Sequence, residues 1–220
     1  MSRWIQAGIR HPSAVLLGAQ LVGVVLYPFM EGPVGRAALS LFGIVVLVLA
    51  VWALRTTPAL TWVSLVLGLP VVALTVLEAM QPTNGAIVLW SSLLHAAFYF
   101  YTCYGLIRYM FIDYDVTRDE LYATGATFTV VAWAFAYLFV ATQVLWPGSF
   151  TAALDPGAPR TWVELLFLSF TTLTSTGLSD VVPVVAQARA LVMIEQLAGV
   201  MYLALVVSRL VGLTLARRRA

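Results

Sequence analysis

Lysine is absent from the 220 residues, charged side chains make up only 10%, and there is one cysteine, Cys103. Each shortage excludes something. Soluble domains average about 25% charged residues, so a chain with 61% hydrophobic residues and a mean hydropathy of +0.94 is not one of them. An integral membrane protein is expected, with membrane lipids around it. One cysteine excludes an intrachain disulfide and a cysteine-only metal cage. The formal charge of +2 is too small to imply a nucleic-acid partner. No small-residue cleavage site follows the apolar run from Ser13 to Met30, which also exceeds the usual signal-peptide core, so no cleaved signal is expected. No paired carboxylates, histidine cluster or serine constellation gathers near any apolar run, so no enzyme is expected.

What the chain does have is long apolar runs. A spanning helix needs about 20 mainly apolar residues. Six segments approach or exceed that: Ser13 to Met30, Ala37 to Leu54, Leu60 to Leu77, Ala86 to Ile107, Leu121 to Trp146 and Ala190 to Thr214. The stretch Thr161 to Asp180 behaves differently. Its first part, Thr161 to Leu173, is apolar but short, and apolar runs of about 10 to 14 residues in membrane proteins are more often re-entrant or interfacial. Thr161 and Glu164 spell a capping box at its start. After Leu173 come Thr174, Ser175, Thr176, Gly177, Leu178, Ser179 and Asp180, poor helix material. Non-helical backbone at membrane depth is tolerated only when buried in protein or lining a wet cavity. The fold class is therefore all-α: six transmembrane helices, with a re-entrant helix between the fifth and sixth.

Orientation follows from arginine placement, since cytoplasmic loops carry the excess of basic residues. A cytoplasmic N-terminus puts Arg3, Arg10, Arg55, Arg108, Arg118, Arg209, Arg217, Arg218 and Arg219 inside, leaving Arg36, Arg160 and Arg189 outside. Both termini are then cytoplasmic in a multi-pass protein of the cell membrane. Arg3, Trp4 and Arg10 suit a helix lying at the inner interface. Trp52 and Trp62 fall near inner span ends and Trp90, Trp146 and Trp162 near outer ends, while Trp133 is mid-span packing. Pro70 predicts a kink in the third span. His95 reads as a neutral helix contact, and residues 113–120 as a solvated cytoplasmic linker between a peripheral part, 1–112, and a second part, 121–216. Residues 147–159 are rich in turn formers, and the basic tail 217–220 suits anionic headgroups.

Thr171-Thr-Leu-Thr-Ser-Thr-Gly-Leu-Ser-Asp180 resembles the potassium-channel pore signature, usually written T-T-x-T-T-V-G-Y-G-D. The resemblance is strongest from Leu121 to Gly212 and implies a pore domain at 121–216, with the fifth and sixth spans as outer and inner helices. It implies a selectivity filter at Thr174 to Asp180. Potassium would meet the hydroxyl and carbonyl of Ser175 and the carbonyls of Thr176, Gly177 and Leu178, with Asp180 as an acidic ring at the mouth. Gly199 falls at the hinge position of the inner helix; close helix packing is the alternative. One pore loop per chain implies a homotetramer, because the family's ring needs about four. No cofactor is implied beyond the permeant monovalent cation.

Two filter positions depart from the signature. Leu178 replaces the tyrosine whose phenol ties the filter to its surroundings. Ser179 replaces the second glycine, where the family's backbone wants a left-handed conformation that costs other residues about 1 to 2 kcal/mol. Potassium is the expected permeant ion, with a weakly selective sodium and potassium channel, or a non-conducting scaffold, as alternatives. The fourth span is uncharged until Arg108, whereas a voltage sensor needs several arginines within one span, so intrinsic voltage sensing is not expected. Glu195, inside the last span, reads as a pH-sensitive group, a support for the filter, or a structural glutamate. External pH is expected to act through Glu195 or Asp180.

Overall fold

The structure, a computed structural model, describes residues 11–26, 32–55, 59, 61–112 and 117–219. In chain order its elements are α1 (Pro12–Leu26), α2 (Gly32–Leu54), α3 (Thr61–Met80), α4 (Gly85–Met110), α5 (Arg118–Leu145), β1 (Phe150–Thr151), α6 (Trp162–Leu173), β2 (Val182–Pro183) and α7 (Ala186–Arg219). Among the described residues four helices are long and apolar enough to cross a membrane: Trp62–Met80, Gly85–Met110, Arg118–Leu145 and Ala186–Arg209. Pro12–Leu26, Leu41–Leu54 and Trp162–Leu173 are shorter apolar helices. The predicted interfacial helix at Arg3, Trp4 and Arg10, residues 113–116 of the predicted linker and the end of the first predicted span at Met30 lie outside the described residues.

The chain divides into two compact units, Met1–Met80 with Phe98–Val130, and Gln81–Ala97 with Val131–Ala220. In the first, α2 packs on both α1 and α3. Leu16, Val46, Val71, Phe98 and Leu106 are fully buried there, and α3 continues through Pro70. Burial of such side chains contributes roughly 1.5 to 3 kcal/mol each when the reference is water. In a bilayer that driving force between helices is missing, so close packing and polar contacts decide how helices associate. A buried polar tie of long reach lies in the first unit: the Asp119 carboxylate accepts from Ser13 N at 3.2 Å and from Ser13 Oγ at 2.8 Å. Asp119 thereby caps the start of α1 from 106 residues away.

Helix α5 begins at Arg118, inside the stretch expected to be a solvated linker, and Asp119 and Glu120 are both buried. The reason is a capping box. Thr117 Oγ1 accepts from Glu120 N at 3.2 Å, and Glu120 Oε1 accepts from Thr117 N at 3.4 Å. A Thr or Ser three residues before Glu satisfies two helix-end donors at once and starts a helix there. The predicted tail is likewise helical in its backbone through Arg219.

In the second unit, α6 packs on α7, and the two short strands pair antiparallel with Phe150 opposite Pro183 and Thr151 opposite Val182. This strand pair is an addition to the all-α expectation. Two residues per strand carry no readable alternation, and the pairing is closed by Val184 N donating to Ser149 O at 2.9 Å.

Candidate functional site

The site is built around α6, whose start is fixed three times over. The predicted capping box is present: Thr161 N donates to Glu164 Oε2 at 2.6 Å, and Glu164 N donates to Thr161 Oγ1 at 3.3 Å. Just before it, Gln143 of α5 grips the backbone of Arg160, with Nε2 donating to Arg160 O at 2.9 Å and Oε1 accepting from Arg160 N at 2.7 Å. The Arg160 guanidinium turns back into its own loop. It donates to the carbonyls of Leu154, Asp155 and Ala158 at 3.2, 2.5 and 2.5 Å, and to Glu164 Oε1 at 3.3 Å. Arg160 is 6% exposed and acts as the internal staple of residues 154–160.

Side-chain contacts then give the helix directions. Along α5 the residues Ala132, Trp133, Tyr137 and Gln143 meet, in that order, Ser169, Trp162, Trp162 and Arg160. Helices α5 and α6 therefore run antiparallel. On α7, Glu195 meets Ser169, and Gly199 meets Leu173. Both sequences advance together by one helical turn, so α6 and α7 run the same way. The chain must return between Leu173 and Ala186, and it does so through the predicted filter residues and β2.

The Gly199 contact is against backbone. A Cβ at 199 would lie 2.2 Å from the Leu173 carbonyl oxygen, closer than any atom pair tolerates. Close packing is thus a sufficient reason for this glycine, and α7 is continuous through it. Glu195, one turn earlier, is fully buried, and its Oε1 is in hydrogen-bonding contact with Ser169 Oγ, which also lies 2.9 Å from the Ala132 carbonyl oxygen.

The backbone after α6 is ordered by the end of the helix. Ser175 N donates to Thr172 O at 2.9 Å and Thr176 N to Thr171 O at 3.0 Å, with Ser175 left-handed at φ 57°. These two bonds and that conformation make a Schellman cap with Ser175 at the position usually held by glycine. Gly177, also left-handed at φ 64°, brings a third N–H onto Thr171 O at 3.1 Å. In a planar trans peptide the N–H and C=O point in opposite directions. With the N–H groups of 175, 176 and 177 turned to the helix end, the carbonyls of Thr174, Ser175 and Thr176 point away from it. The carbonyls of Ser175, Thr176, Gly177 and Leu178 receive no hydrogen bond from any described residue.

The left-handed requirement expected at Ser179 is absent: among described residues the positive-φ positions are Gly148, Asp155, Ser175 and Gly177. The Schellman cap has moved the demand to Ser175. Ser179 instead accepts from Val181 N through its hydroxyl at 3.1 Å, a short turn open to ordinary φ values. Thr174 and Thr176 hydroxyls lie 3.0 Å apart and both reach Thr171 O at 3.3 Å. Leu178 is 78% exposed and Asp180 is exposed. His95 is buried, with Nδ1 2.8 Å from Ser91 O and its ring stacked on Tyr137 at 4.2 Å.

The structure places Thr174 to Asp180 in one segment and brings Glu195 and Gly199 against the helix that feeds it. Sequence reasoning missed Gln143, Ser169 and the internal role of Arg160. The capping pattern was the signal for Arg160's neighbourhood, and nothing local marks the other two. Comparisons with curated proteins and with solved structures found no match. Residues 126–215, which take in most of α5, all of α6, the segment after it and nearly all of α7, match a family model described as an ion channel.

Proposed function

We propose that residues 121–216 form the pore domain of a homotetrameric, potassium-channel-like channel that passes cations passively, with Thr174 to Asp180 as its filter. The observation that carries this reading is the run of backbone carbonyls after α6: those of Ser175 and Thr176 are turned from the helix, and those of Ser175 to Leu178 receive no hydrogen bond from any described residue. Rings of such carbonyls replace the water shell of a cation. Ser175, Thr176, Gly177 and Leu178 would supply the potassium sites, and exposed Asp180 the acidic outer ring. The reversal of direction between α6 and α7 supports a re-entrant pore helix, whose C-terminal dipole end favours a cation in the cavity. One chain offers one carbonyl per level, and about four are needed to close a ring. Met193, Ile194, Leu197, Val200 and Met201 of α7 are uncovered in the single chain, as a helix that meets other copies requires.

In this reading α1 to α4 are a peripheral domain, both termini are cytoplasmic and the channel sits in the cell membrane. Helix α4 has one charged residue, Arg108 in its last turn, which supports a channel without an intrinsic voltage sensor. A second reading, weak discrimination between sodium and potassium, is favoured by the exposed Leu178 and the ordinary backbone at Ser179. Reconstitution in liposomes under a potassium gradient is the test; flux is expected, and its absence would leave the non-conducting scaffold. Reversal potentials in mixed sodium and potassium then separate the two conducting readings. Leu178→Tyr with Ser179→Gly is expected to raise the potassium preference about tenfold, or ~1.4 kcal/mol.

A further inference from the structure

The contact between α6 and α7 allows the protons to be counted. A serine hydroxyl has one. Ser169 Oγ nevertheless lies against two oxygens, the Ala132 carbonyl at 2.9 Å and Glu195 Oε1. A carbonyl only accepts, and an ionised carboxylate only accepts. With Glu195 ionised, one of the two contacts would therefore be lone pair against lone pair. Glu195 Oε2 is buried with no hydrogen-bond partner, so an ionised group would also leave half its charge unmatched.

No cation among the described residues relieves this. The ion pairs of His11 with Asp119 and of Arg160 with Glu164 lie elsewhere. Residues 131–145 of α5 carry no charged side chain, and their one titratable group, Tyr137, is stacked on His95. Helix α6 carries only Glu164, held at its far end by Thr161 and Arg160. On α7 the arginine before Glu195 is Arg189, whose Nε donates to Pro183 O at 3.2 Å.

We infer that Glu195 is a positioning residue present as the carboxylic acid, its O–H donating to Ser169 Oγ while the Ser169 O–H donates to the Ala132 carbonyl. Every proton then has one acceptor, and the chain of two bonds ties α7, α6 and α5 together one turn before Leu173, where the filter segment departs. Of the Glu195 and Ser169 oxygens, the Glu195 carbonyl oxygen, Oε2, is left without a partner. External pH then does not act on conduction through Glu195. The functional part of this inference rests on the proposed pore; the proton count does not.

The assembled full chain is the sample for the test. Infrared difference spectra between the wild type and Glu195→Gln at neutral pH are expected to show a protonated carboxylic acid lost on substitution, and Ser169→Ala to shift that same band. A carboxylate band in its place overturns the inference. In flux assays Glu195→Gln, whose amide also donates to Ser169, is expected to keep the wild-type ion preference and pH profile, whereas Glu195→Ala loses the preference. A changed pH profile in Glu195→Gln overturns the inference as well. A wild type that shows the acid band but passes no ions would defeat the pore reading and leave the proton chain standing.

Discussion

The two units of this chain use backbone very differently. In the unit of Met1–Met80 and Phe98–Val130, no described residue has a positive φ; all four such residues, Gly148, Asp155, Ser175 and Gly177, belong to the other. The glycine contacts differ in kind too. Gly23 of α1 faces the ring edge of Phe42, while Gly199 of α7 faces the Leu173 backbone. The first unit is apolar helix on apolar helix, with capped ends at Ser13 with Asp119 and at Thr117 with Glu120. The second carries the Gln143–Arg160 clasp, the Ser169–Glu195 contact and the capped end of α6. Unusual backbone conformations are concentrated in the unit that holds the proposed filter.

Substitutions in each unit break or sharpen this contrast. The largest expected effect is Gly199→Ala: the Cβ would meet backbone that has nowhere to go, and overpacking of that kind costs about 3 kcal/mol or more. Thermal unfolding of the purified assembly should show it. Next is Arg160→Ala, which removes the guanidinium from three carbonyls and Glu164, expected to cost about 2 kcal/mol as charged hydrogen bonds do. Limited proteolysis within residues 147–160 should accelerate, and lysine, with fewer donors in a different geometry, should restore little. Asp119→Ala removes the cap of α1, expected to cost about 1 kcal/mol, while liposome flux stays at the wild-type level. Smallest is Gly23→Ala, expected below about 1 kcal/mol because a ring edge yields more readily than backbone. Equal losses at positions 23 and 199 would erase the distinction between the units.

The features legible from sequence are those that depend on neighbours in the chain. The capping box at Thr161 and Glu164 was readable because its partners are three residues apart, and the same pattern at Thr117 and Glu120 was equally readable but was covered by the charge of the surrounding run. Burial of Asp119 was not legible, since its partner Ser13 is 106 residues away. Ser169 and Glu195, 26 apart, and Gln143 and Arg160, 17 apart, are set by tertiary packing that no local period encodes. The end of α6 at Leu173 followed from the composition of the segment after it, which is poor helix material. The backbone of that segment did not, because the left-handed turn at Ser175 arises from how α6 ends and not from a preference of serine.

The strand pair has a mechanical consequence for the segment it closes. Thr174 to Val181 is a tether of eight residues, held at one side where Leu173 lies on Gly199 and at the other where Val182 and Pro183 pair with β1. Fully extended, eight residues reach about 26 Å, while the 12 residues of α6 are about 18 Å long. The slack is small, roughly two residues' worth, and the bends at Ser175 and Gly177 take it up. Length is therefore a requirement beside composition: deleting one residue from 174–181 would take out about 3.3 Å, over a third of that slack, and loosen the bends that hold the carbonyl row, whereas many side-chain changes would leave it in place.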